Sequence, residues 1–284
     1  MAIPAKLKQQ MESQLNATIK RASPVSGGDI ATTFTIRTDA GQSYFLKFGE
    51  NLPPDMFNAE ATGLRRIATA ACIRTPTIIA ETDNYLILEL ITEAKPTDHY
   101  WINFGHQLAQ LHTHTSEYFG FVQNNYCGAT PQPNPRDKNG YHFFATQRLN
   151  YQAELALERG LLNIGDVDLI ERISSRLPEL VPLQPPSLLH GDLWPGNQLC
   201  DEFQQPVLLD PACYYGWAEA EIAMTLLFGG FDKRFYQAYL EINPLEPGWQ
   251  ERSGIYNLYH LLNHLNLFGR GYYSRVNNII NRYR

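Results

Sequence analysis

The sequence predicts an α+β protein with two lobes, a small antiparallel-sheet lobe followed by a larger and mostly helical one. Apolar and polar residues alternate in short segments before residue 92, and apolar residues recur at helical spacing from residue 100 onward. Residues 92–96 follow neither period. Because 284 residues exceed the usual size of one domain, we expect an N-terminal lobe over residues 1–91 and a C-terminal lobe over residues 92–284.

The N-terminal lobe is predicted to begin with a helix and to continue as strands joined by turns. Leu7, Met11 and Leu15 predict a polar helix over residues 4–17, and a turn-rich loop follows at residues 23–30. Alternating segments then predict strands with one helix among them. The strands are predicted at residues 33–37, 43–48, 76–80 and 85–91, and the helix carries Phe57, Leu64 and Ile67. We expect an antiparallel sheet of about five strands in total.

Apolar stripes predict the helices of the C-terminal lobe. The first stripe runs from Trp101 to Leu111 and ends near His112, which we expect to be buried and hydrogen-bonded. Residues 119–141 have no period and contain three prolines, which is typical of a functional loop, and we expect this loop to line the acceptor side of a cleft. Further helices are predicted at residues 142–160, 166–178, 218–228, 232–242 and 249–268.

Composition limits the partners and the compartment of the protein. Its net charge is −6 with a pI near 5.8, and its Lys and Arg residues form no cluster, which argues against nucleic-acid binding. No run reaches the roughly 18 apolar residues of a membrane span, and residues 1–20 lack the apolar core of a signal peptide. Four widely spaced cysteines without a Cys-x-x-Cys pair favour a reduced, cytoplasmic protein.

The most informative stretch lies between two short apolar segments of the C-terminal lobe. Residues 190–197 read His-Gly-Asp-Leu-Trp-Pro-Gly-Asn, and the second apolar segment ends at Asp210. An Asp followed five residues later by an Asn, with a further Asp at the next strand end, is the pattern of a phosphoryl-transfer site. Asp192 is the candidate acceptor of the proton of an attacking hydroxyl, and Asn197 and Asp210 are candidate oxygen ligands of Mg²⁺. His190 would fix the loop by hydrogen bonds to its backbone.

Chance and turn formation offer a second interpretation of these residues. Asp-Pro and Pro-Gly pairs are ordinary turn formers, and Asp-x-x-x-x-Asn is a short pattern. An unpaired carboxylate in apolar surroundings, however, costs several kcal/mol. Two carboxylates beside buried strands therefore favour a cation site.

The N-terminal lobe supplies candidates for holding nucleotide phosphates. Gly27 and Gly28 precede a strand pair and form a candidate flap over the phosphates, although most glycine pairs are only turns. Lys47 lies near the end of the second strand of this pair and would contact the α- and β-phosphates. Glu60 on the following helix would hold Lys47 in place, and a solvated helix position is its alternative interpretation. The nucleotide predicted from this arrangement is ATP.

Adenine is expected where the two lobes meet. In a kinase-like arrangement the backbone carbonyl of Glu89 and the backbone amide of Ile91, near the end of the last predicted strand, would bind its edges. Because backbone groups make these contacts, the side chains at the two positions carry little information.

Three longer motifs extend this pattern. They are His-Gly-Asp-Leu-Trp-x-Gly-Asn at residues 190–197, Asp-Pro-Ala-x-x-Tyr-Gly at 210–216 and Leu-Asn-His-x-Asn-x-Phe-Gly at 262–269. Together they resemble the fructosamine/ketosamine 3-kinases. Their His-Gly-Asp and Asp-Pro elements would fit aminoglycoside phosphotransferases, choline kinases and homoserine kinases equally well, whereas Trp194 and the C-terminal Asn-His motif narrow the resemblance. Further matches extend it over nearly the whole chain: Cys127-Gly128 with Pro131-Gln132, Phe143-Phe144 with Arg148, and residues 227–231.

The resemblance implies a protein-kinase-like fold and transfer of the ATP γ-phosphate to O3 of a ketoamine. Such ketoamines form when sugars glycate lysine side chains. Phosphorylation makes the adduct unstable, so that it eliminates and frees the amine. The resemblance therefore implies a role in deglycation.

The resemblance also assigns roles to individual residues. It implies Asp192 as general base, Asn197 and Asp210 as Mg²⁺ ligands, and Lys47 with Glu60 as phosphate-holding pair. It further implies that Trp194 packs against the sugar or amine portion of the acceptor. His264 and Asn266 lie in the region expected to complete the acceptor site, with helix-end capping or solvent exposure as the alternative interpretation.

Two other functions stay open from the sequence. A small-molecule kinase of the same fold could act on an aminoglycoside, choline or another amino alcohol, and an inactive homologue could serve as a binding module. The inactive homologue is disfavoured because every residue of the phosphoryl-transfer pattern is present. An aminoglycoside enzyme usually offers a markedly acidic acceptor cleft, whereas only Glu219 and Glu221 cluster near the second strand end. The preferred sugar and the oligomeric state are left open.

Overall fold

The structure is a computed structural model that describes residues 3–25, 30–49 and 52–284. The predicted phosphate flap, Gly27 and Gly28, lies outside the described residues and stays a prediction. A five-stranded antiparallel sheet is followed by a mainly helical region, which confirms the predicted fold class. Among the helices in the described ranges, none has both the length and the apolar character needed to cross a bilayer.

The first lobe is an antiparallel sheet flanked by two helices. Its elements are α1 (Ala5–Leu15), β1 (Ile19–Pro24), β2 (Thr32–Thr38), β3 (Ser43–Phe48), α2 (Met56–Ala70), β4 (Ile78–Glu81) and β5 (Tyr85–Glu89). The strand order is β1-β2-β3-β5-β4. The sequence does not predict β1, because only Ile19 of this strand is fully buried and its remaining residues show no alternation.

Two small apolar cores fix the faces of this sheet. Leu7 and Met11 of α1 pack on one face of the sheet, together with Leu46 of β3. α2 covers the opposite face, where Phe57 and Leu64 belong to the second core. Because successive side chains of a strand point to opposite faces, the residue that follows Leu46 points toward α2.

The second lobe is mostly helical and contains three short β-ribbons. Its elements are α3 (Asp98–His112), β6 (Asn125–Cys127), β7 (Thr130–Gln132), α4 (Gly140–Phe144), α5 (Tyr151–Glu158), α6 (Ile164–Ser175), α7 (Leu177–Leu180), β8 (Ser187–Leu189), β9 (Gln198–Cys200), β10 (Pro206–Leu208), β11 (Tyr214–Gly216), α8 (Ala218–Leu227), α9 (Lys233–Ile242), α10 (Trp249–Phe268) and α11 (Tyr273–Tyr283). A π-helical turn, Ala145–Asn150, divides the helix predicted at residues 142–160 into α4 and α5. No helix is predicted where α11 lies, and α11 packs on the second lobe through Val276 and Ile280.

Strand pairing in this lobe holds two functional loops side by side. β8 pairs with β11 and β9 pairs with β10, both antiparallel. The loop after β8 contains residues 190–197, and the loop between β10 and β11 begins with residue 209. The ribbons therefore carry the two predicted catalytic segments to one edge of the second lobe, facing the first.

Candidate active site

A cavity of about 890 Å³ lies between the two lobes and brings most of the predicted site residues together. The predicted residues that line it are Lys47, Glu60, Glu89, Ile91, Asp192, Trp194, Asn197, Asp210 and His264. These residues come from the sheet, from α2, from both catalytic loops and from α10. Such a cleft has the size of a small-molecule site.

Lys47 is held at the cavity wall by two carboxylates. It is 6% exposed and donates to Glu60 Oε1 at 2.7 Å and to Asp210 Oδ1. Burial opposes the charge of Lys47, but Asp210 and Glu60 outweigh burial and raise its pKa. Burial also raises the pKa of Glu60 to about 7, although Lys47 acts in the opposite direction. Because one ammonium group is shared by two carboxylates, Lys47 stays charged.

The backbone of the loop after β8 is fixed by a histidine and a glycine. His190 Nε2 donates to the Leu209 carbonyl at 2.7 Å, and the Asp192 amide donates to Nδ1 at 3.3 Å. A carbonyl only accepts, so His190 carries its hydrogen on Nε2. Gly191 has φ +87°, and a Cβ there would lie 2.1 Å from the Ala212 carbonyl oxygen. Only glycine therefore fits this close approach of the two catalytic loops.

Glu221 on α8 supports the same loop from behind. Its carboxylate accepts from the backbone amides of His190 at 3.1 Å and Gly191 at 2.6 Å. His112, 1% exposed, contacts the same carboxylate through Nε2 at 2.8 Å and Tyr239 through Nδ1 at 2.6 Å, as expected of a buried, hydrogen-bonded histidine. Burial works against the charge of Glu221, but the hydrogen bond from His112 and the nearby charges lower its pKa. Glu221 is thus a buried anion that positions the catalytic loop.

Asp192, Asn197 and Asp210 line the same cavity. Asn197 Nδ2 donates to the Asp192 carbonyl at 2.9 Å and to Asp192 Oδ2 at 3.2 Å. Burial and the charge of Asp210 raise the pKa of Asp192 to about 7. Asp210 has φ 54°, in the left-handed region, and its side chain is 47% exposed. Non-glycine residues in this conformation cluster at functional sites.

The donor set at this point fits a hard divalent cation. The amide nitrogen of Asn197 is used within the loop, which leaves its oxygen as the atom that a cation would meet. Asp210 presents an exposed carboxylate, which Lys47 contacts at Oδ1. Carboxylate and amide oxygens are the ligands that Mg²⁺ prefers.

Aromatic side chains form the wall of the cavity beside Trp194. The Trp194 ring lies 6.0 Å from Phe228, and Phe228 lies 4.9 Å from His264, measured between ring centroids. Phe268 and Tyr272 extend the wall beyond His264 at 5.5 and 5.1 Å. The wall combines an apolar surface with an imidazole, which suits an acceptor that has apolar and polar parts.

One predicted acceptor residue, Asn266, does not face the cavity. Its Nδ2 donates to the backbone carbonyl of Gln152 at 2.9 Å and to its side-chain oxygen at 2.8 Å, on α5. Two residues along a helix turn through about 200°, so Asn266 and His264 lie on opposite faces of α10. The expectation for Asn266 is therefore corrected, and Asn263 takes its place beside His264 in the cavity lining.

The aperiodic loop contains buried polar residues whose contacts were not predicted from the sequence. Asn125 donates to the Cys213 carbonyl at 2.8 Å, and Gln132 donates to the Ala212 carbonyl at 3.0 Å. Residues 125–128 line the cavity, although their place on the acceptor side stays a prediction. A run of Asn and Gln in a segment without period is the signal that could have indicated buried amides holding a neighbouring loop.

Arg148 supports this loop from the protein interior. Its side chain is fully buried and donates to Asn134 Oδ1 at 2.7 Å and to the Pro133 carbonyl at 2.8 Å. The guanidinium also lies 4.1 Å from the centroid of the Tyr214 ring. Stacking and hydrogen bonds together compensate for a buried charge.

A two-lobed protein-kinase-like fold with these residues in its cleft defines an ATP-dependent kinase. Comparison with known proteins specifies the class further. The family described as Fructosamine kinase matches residues 2–284. The chain belongs to the fructosamine kinase family.

Individual relatives agree with this membership. A Synechocystis protein assigned as a ketoamine kinase is 41% identical over 267 residues, covering 92% of this chain and 90% of the relative. The chloroplastic protein-ribulosamine 3-kinase of Arabidopsis thaliana is 37% identical and covers 93% of this chain and 83% of its own length. A solved structure from Haemophilus somnus, assigned as a fructosamine-3-kinase, is 31% identical with a TM-score of 0.88, covering 97% of this chain and 96% of that one.

Proposed function

We propose that the protein phosphorylates O3 of ketoamines, using ATP and Mg²⁺, and thereby acts in deglycation. The observation that carries the proposal is the convergence of Asp192, Asn197, Asp210 and Lys47 in one cleft of a chain that belongs to the fructosamine kinase family. The relatives named ketoamine kinase and ribulosamine 3-kinase support the class of acceptor. Fructose, ribulose and erythrulose adducts are the candidate substrates.

In this proposal Asp192 is the general base. Its carboxylate would accept the proton of the sugar hydroxyl as that oxygen attacks the γ-phosphorus. Asn197 supports the role, because its amide hydrogen bonds fix the position of Asp192. Glu221 and Gly191 act further back, by holding the loop in the conformation that aims this carboxylate into the cavity.

The remaining residues of the cleft would hold ATP and its cation. Lys47, oriented by Glu60, would contact the α- and β-phosphates, and Gly27 and Gly28 would cover them with backbone amides. Asn197 and Asp210 would hold Mg²⁺, which supplies neutralisation of phosphate charge when it is bound.

Adenine would lie at the junction of the lobes. We propose that adenine forms hydrogen bonds with the backbone carbonyl of Glu89 and the backbone amide of Ile91. Both residues line the cavity. The Glu89 side chain is engaged elsewhere, accepting from the Thr77 amide and hydroxyl at 3.1 Å each, so backbone groups are what this position offers.

The acceptor would occupy the part of the cleft walled by Trp194. Its indole lies against Gly196 and Phe228, with 37% of the residue exposed to the cleft. We propose that the indole packs against the sugar or amine portion of the ketoamine, with His264 completing the site. An aminoglycoside or choline kinase of the same fold is the alternative. Glu219 and Glu221, the acids that such a cationic acceptor would need, are instead 1% and 3% exposed.

Three further proposals concern the whole chain. We place the lobe boundary between residues 91 and 92, which is supported by the Ala94 amide donating to the Cys200 carbonyl in the second lobe at 2.8 Å. We propose a cytoplasmic location, which four free cysteine thiols support. We also propose that neither nucleic acid nor a membrane is a partner, in keeping with a net charge of −6.

An ATP-consumption assay over a panel of acceptors tests the proposed function. The panel contains fructose-, ribulose- and erythrulose-lysine, kanamycin, choline and homoserine. The proposal predicts turnover of at least one ketoamine and background rates for the other three acceptors. If kanamycin or choline were phosphorylated in preference to every ketoamine, the protein would instead be an aminoglycoside or choline kinase.

A further inference from the structure

We propose that Cys127, His260 and Asp192 form a second cation site, one that takes a soft or borderline metal ion such as Zn²⁺ and blocks the general base. The three side chains come from β6, from α10 and from the catalytic loop. The phosphoryl-transfer pattern uses neither Cys127 nor His260. Cys127 and Asp192 both line the cavity, so the proposed site adjoins it.

The geometry brings three different donor types together. The Cys127 sulfur, a carboxylate oxygen of Asp192 and a ring nitrogen of His260 all lie within 4.8 Å of one another. Zinc binds sulfur at about 2.3 Å and nitrogen or oxygen at about 2.0–2.2 Å, so the ligands of one ion lie roughly 3.5 Å apart. Side-chain movements of about 1 Å would therefore bring the three ligand atoms close enough to coordinate one ion.

His260 is a buried ligand candidate with a ring nitrogen that is unpartnered among the described residues. It is 5% exposed, yet its Nδ1 atom is buried and receives no hydrogen bond from the described part of the chain. Buried polar atoms without a partner are rare in native structures, and a bound ion is one explanation of such an atom. A neutral imidazole beside a thiol and a carboxylate is the ligand set of zinc rather than of magnesium.

A neighbouring amide prepares the sulfur for this role. Asn263 Nδ2 donates to Cys127 Sγ at 3.2 Å and to the Cys127 carbonyl at 3.1 Å. Burial and the charge of Asp192 raise the pKa of the Cys127 thiol, and the hydrogen bond from Asn263 opposes this rise and orients the sulfur, as outer partners of metal ligands do. Binding would displace the thiol proton to solvent, and a water molecule from the cleft would complete the coordination of the ion.

The consequence is a kinase inhibited by zinc at its proposed general base. An Asp192 carboxylate that coordinates zinc is not free to accept the proton of the acceptor hydroxyl. Mg²⁺ does not compete effectively for the site, because it avoids thiolate and imidazole ligands. The inhibition rests on the proposed function of Asp192, whereas the binding of zinc does not.

Binding is tested first, on the whole chain without ATP or ketoamine and with excess Mg²⁺ present. Calorimetry should show one Zn²⁺ per chain, and Co²⁺ should give the absorption band of a cobalt–thiolate bond in the wild-type protein. Cys127→Ser and His260→Asn should each weaken zinc binding by about tenfold or more, because each removes one of three protein ligands. The cobalt measurement uses the unaltered chain, so it stands even where a variant folds poorly.

A matched control excludes the other cysteine–histidine pair of the chain. Cys72 Sγ lies 3.2 Å from His114 Nε2 and is the rival zinc ligand, so Cys72→Ser should leave both zinc affinity and the cobalt band unchanged. At saturation, zinc should then lower ketoamine turnover in the wild type and in Cys72→Ser by about 10²–10⁴-fold, as loss of the general base would. The decrease should be far smaller in Cys127→Ser and His260→Asn, each compared with its own zinc-free rate.

Two results would overturn the proposal. One is a cobalt spectrum of the wild type without a thiolate band. The other is zinc binding that survives both Cys127→Ser and His260→Asn, or that disappears in Cys72→Ser. Zinc binding and the cobalt spectrum do not depend on phosphoryl transfer. A protein that lacks the proposed kinase activity could therefore still bind zinc, and the two failures can be distinguished.

Discussion

Lys47 of β3 forms an ion pair with Asp210, which lies 163 residues further along the chain and on the other lobe. The pair closes the cleft at the place where phosphates and a cation are proposed to bind. A triphosphate would replace Asp210 as the partner of Lys47 and would free the carboxylate for Mg²⁺. The ion pair therefore marks the two residues whose exchange of partners would accompany nucleotide binding.

Asp210→Asn tests the cation half of this exchange. Asn tolerates the left-handed backbone of this position, so the substitution removes the charge without adding strain. We expect calorimetry to show that Mg²⁺ no longer strengthens ATP binding, with an affinity loss of about 10–100-fold, because an ionic contact of roughly 1.5–3 kcal/mol is removed. Asp83→Ala, at an exposed turn of the first lobe, is the control. An unchanged Mg²⁺ effect would remove Asp210 from the metal site.

Glu221→Gln tests whether the buried anion behind the catalytic loop positions Asp192. The substitution replaces one acceptor by an NH₂ group beside the amides of His190 and Gly191, which leaves a buried donor unsatisfied at a cost of about 1–3 kcal/mol. We expect kcat to fall by about tenfold or more, with little change in the KM for ATP.

Glu219→Gln is the matched control for this substitution. Glu219 lies on the same helix and is equally buried, but it accepts from Arg252 at 2.6 Å and from Tyr256 at 2.7 Å, away from the loop. Both variants should lose thermal stability, whereas only Glu221→Gln should lose turnover. Equal losses of turnover would make the role of Glu221 merely structural.

Trp194→Ala tests the acceptor wall. The indole should contribute about 1 kcal/mol to binding of the ketoamine, so its removal should raise the KM for the ketoamine by roughly fivefold and leave the KM for ATP nearly unchanged. Phe203→Ala removes another exposed aromatic residue outside the cavity and should change neither constant. A rise confined to the KM for ATP would place Trp194 on the nucleotide side.

The predictions from sequence succeed where residues are close along the chain or follow a period. Strands β2 to β5 follow from alternation, and the long helices α3 and α10 follow from apolar stripes. Lys47 and Glu60 meet as predicted because strand alternation and the helical stripe both point them between β3 and α2. Local periodicity therefore predicts the architecture and the pairing of Lys47 with Glu60.

The predictions miss what depends on packing between distant elements. Asn266 was placed in the acceptor site by its position in a motif, whereas the helical phase of α10 turns it toward Gln152. The support of the catalytic loop by Glu221 joins residues about 30 positions apart on different elements, and no period encodes such a contact. β1 was missed because an edge strand that is largely exposed lacks an apolar face.

The most direct test of the account is transfer of the γ-phosphate of ATP to ribulose-lysine, with the product examined by ³¹P NMR, in the wild type and in Asp192→Asn. The wild type should form the 3-phosphate of the ketoamine. The variant should bind ATP with nearly unchanged affinity but transfer phosphate about 10²–10⁴-fold more slowly, because the general base is lost. Undiminished transfer in Asp192→Asn, or a wild-type product phosphorylated on another oxygen, would contradict the account.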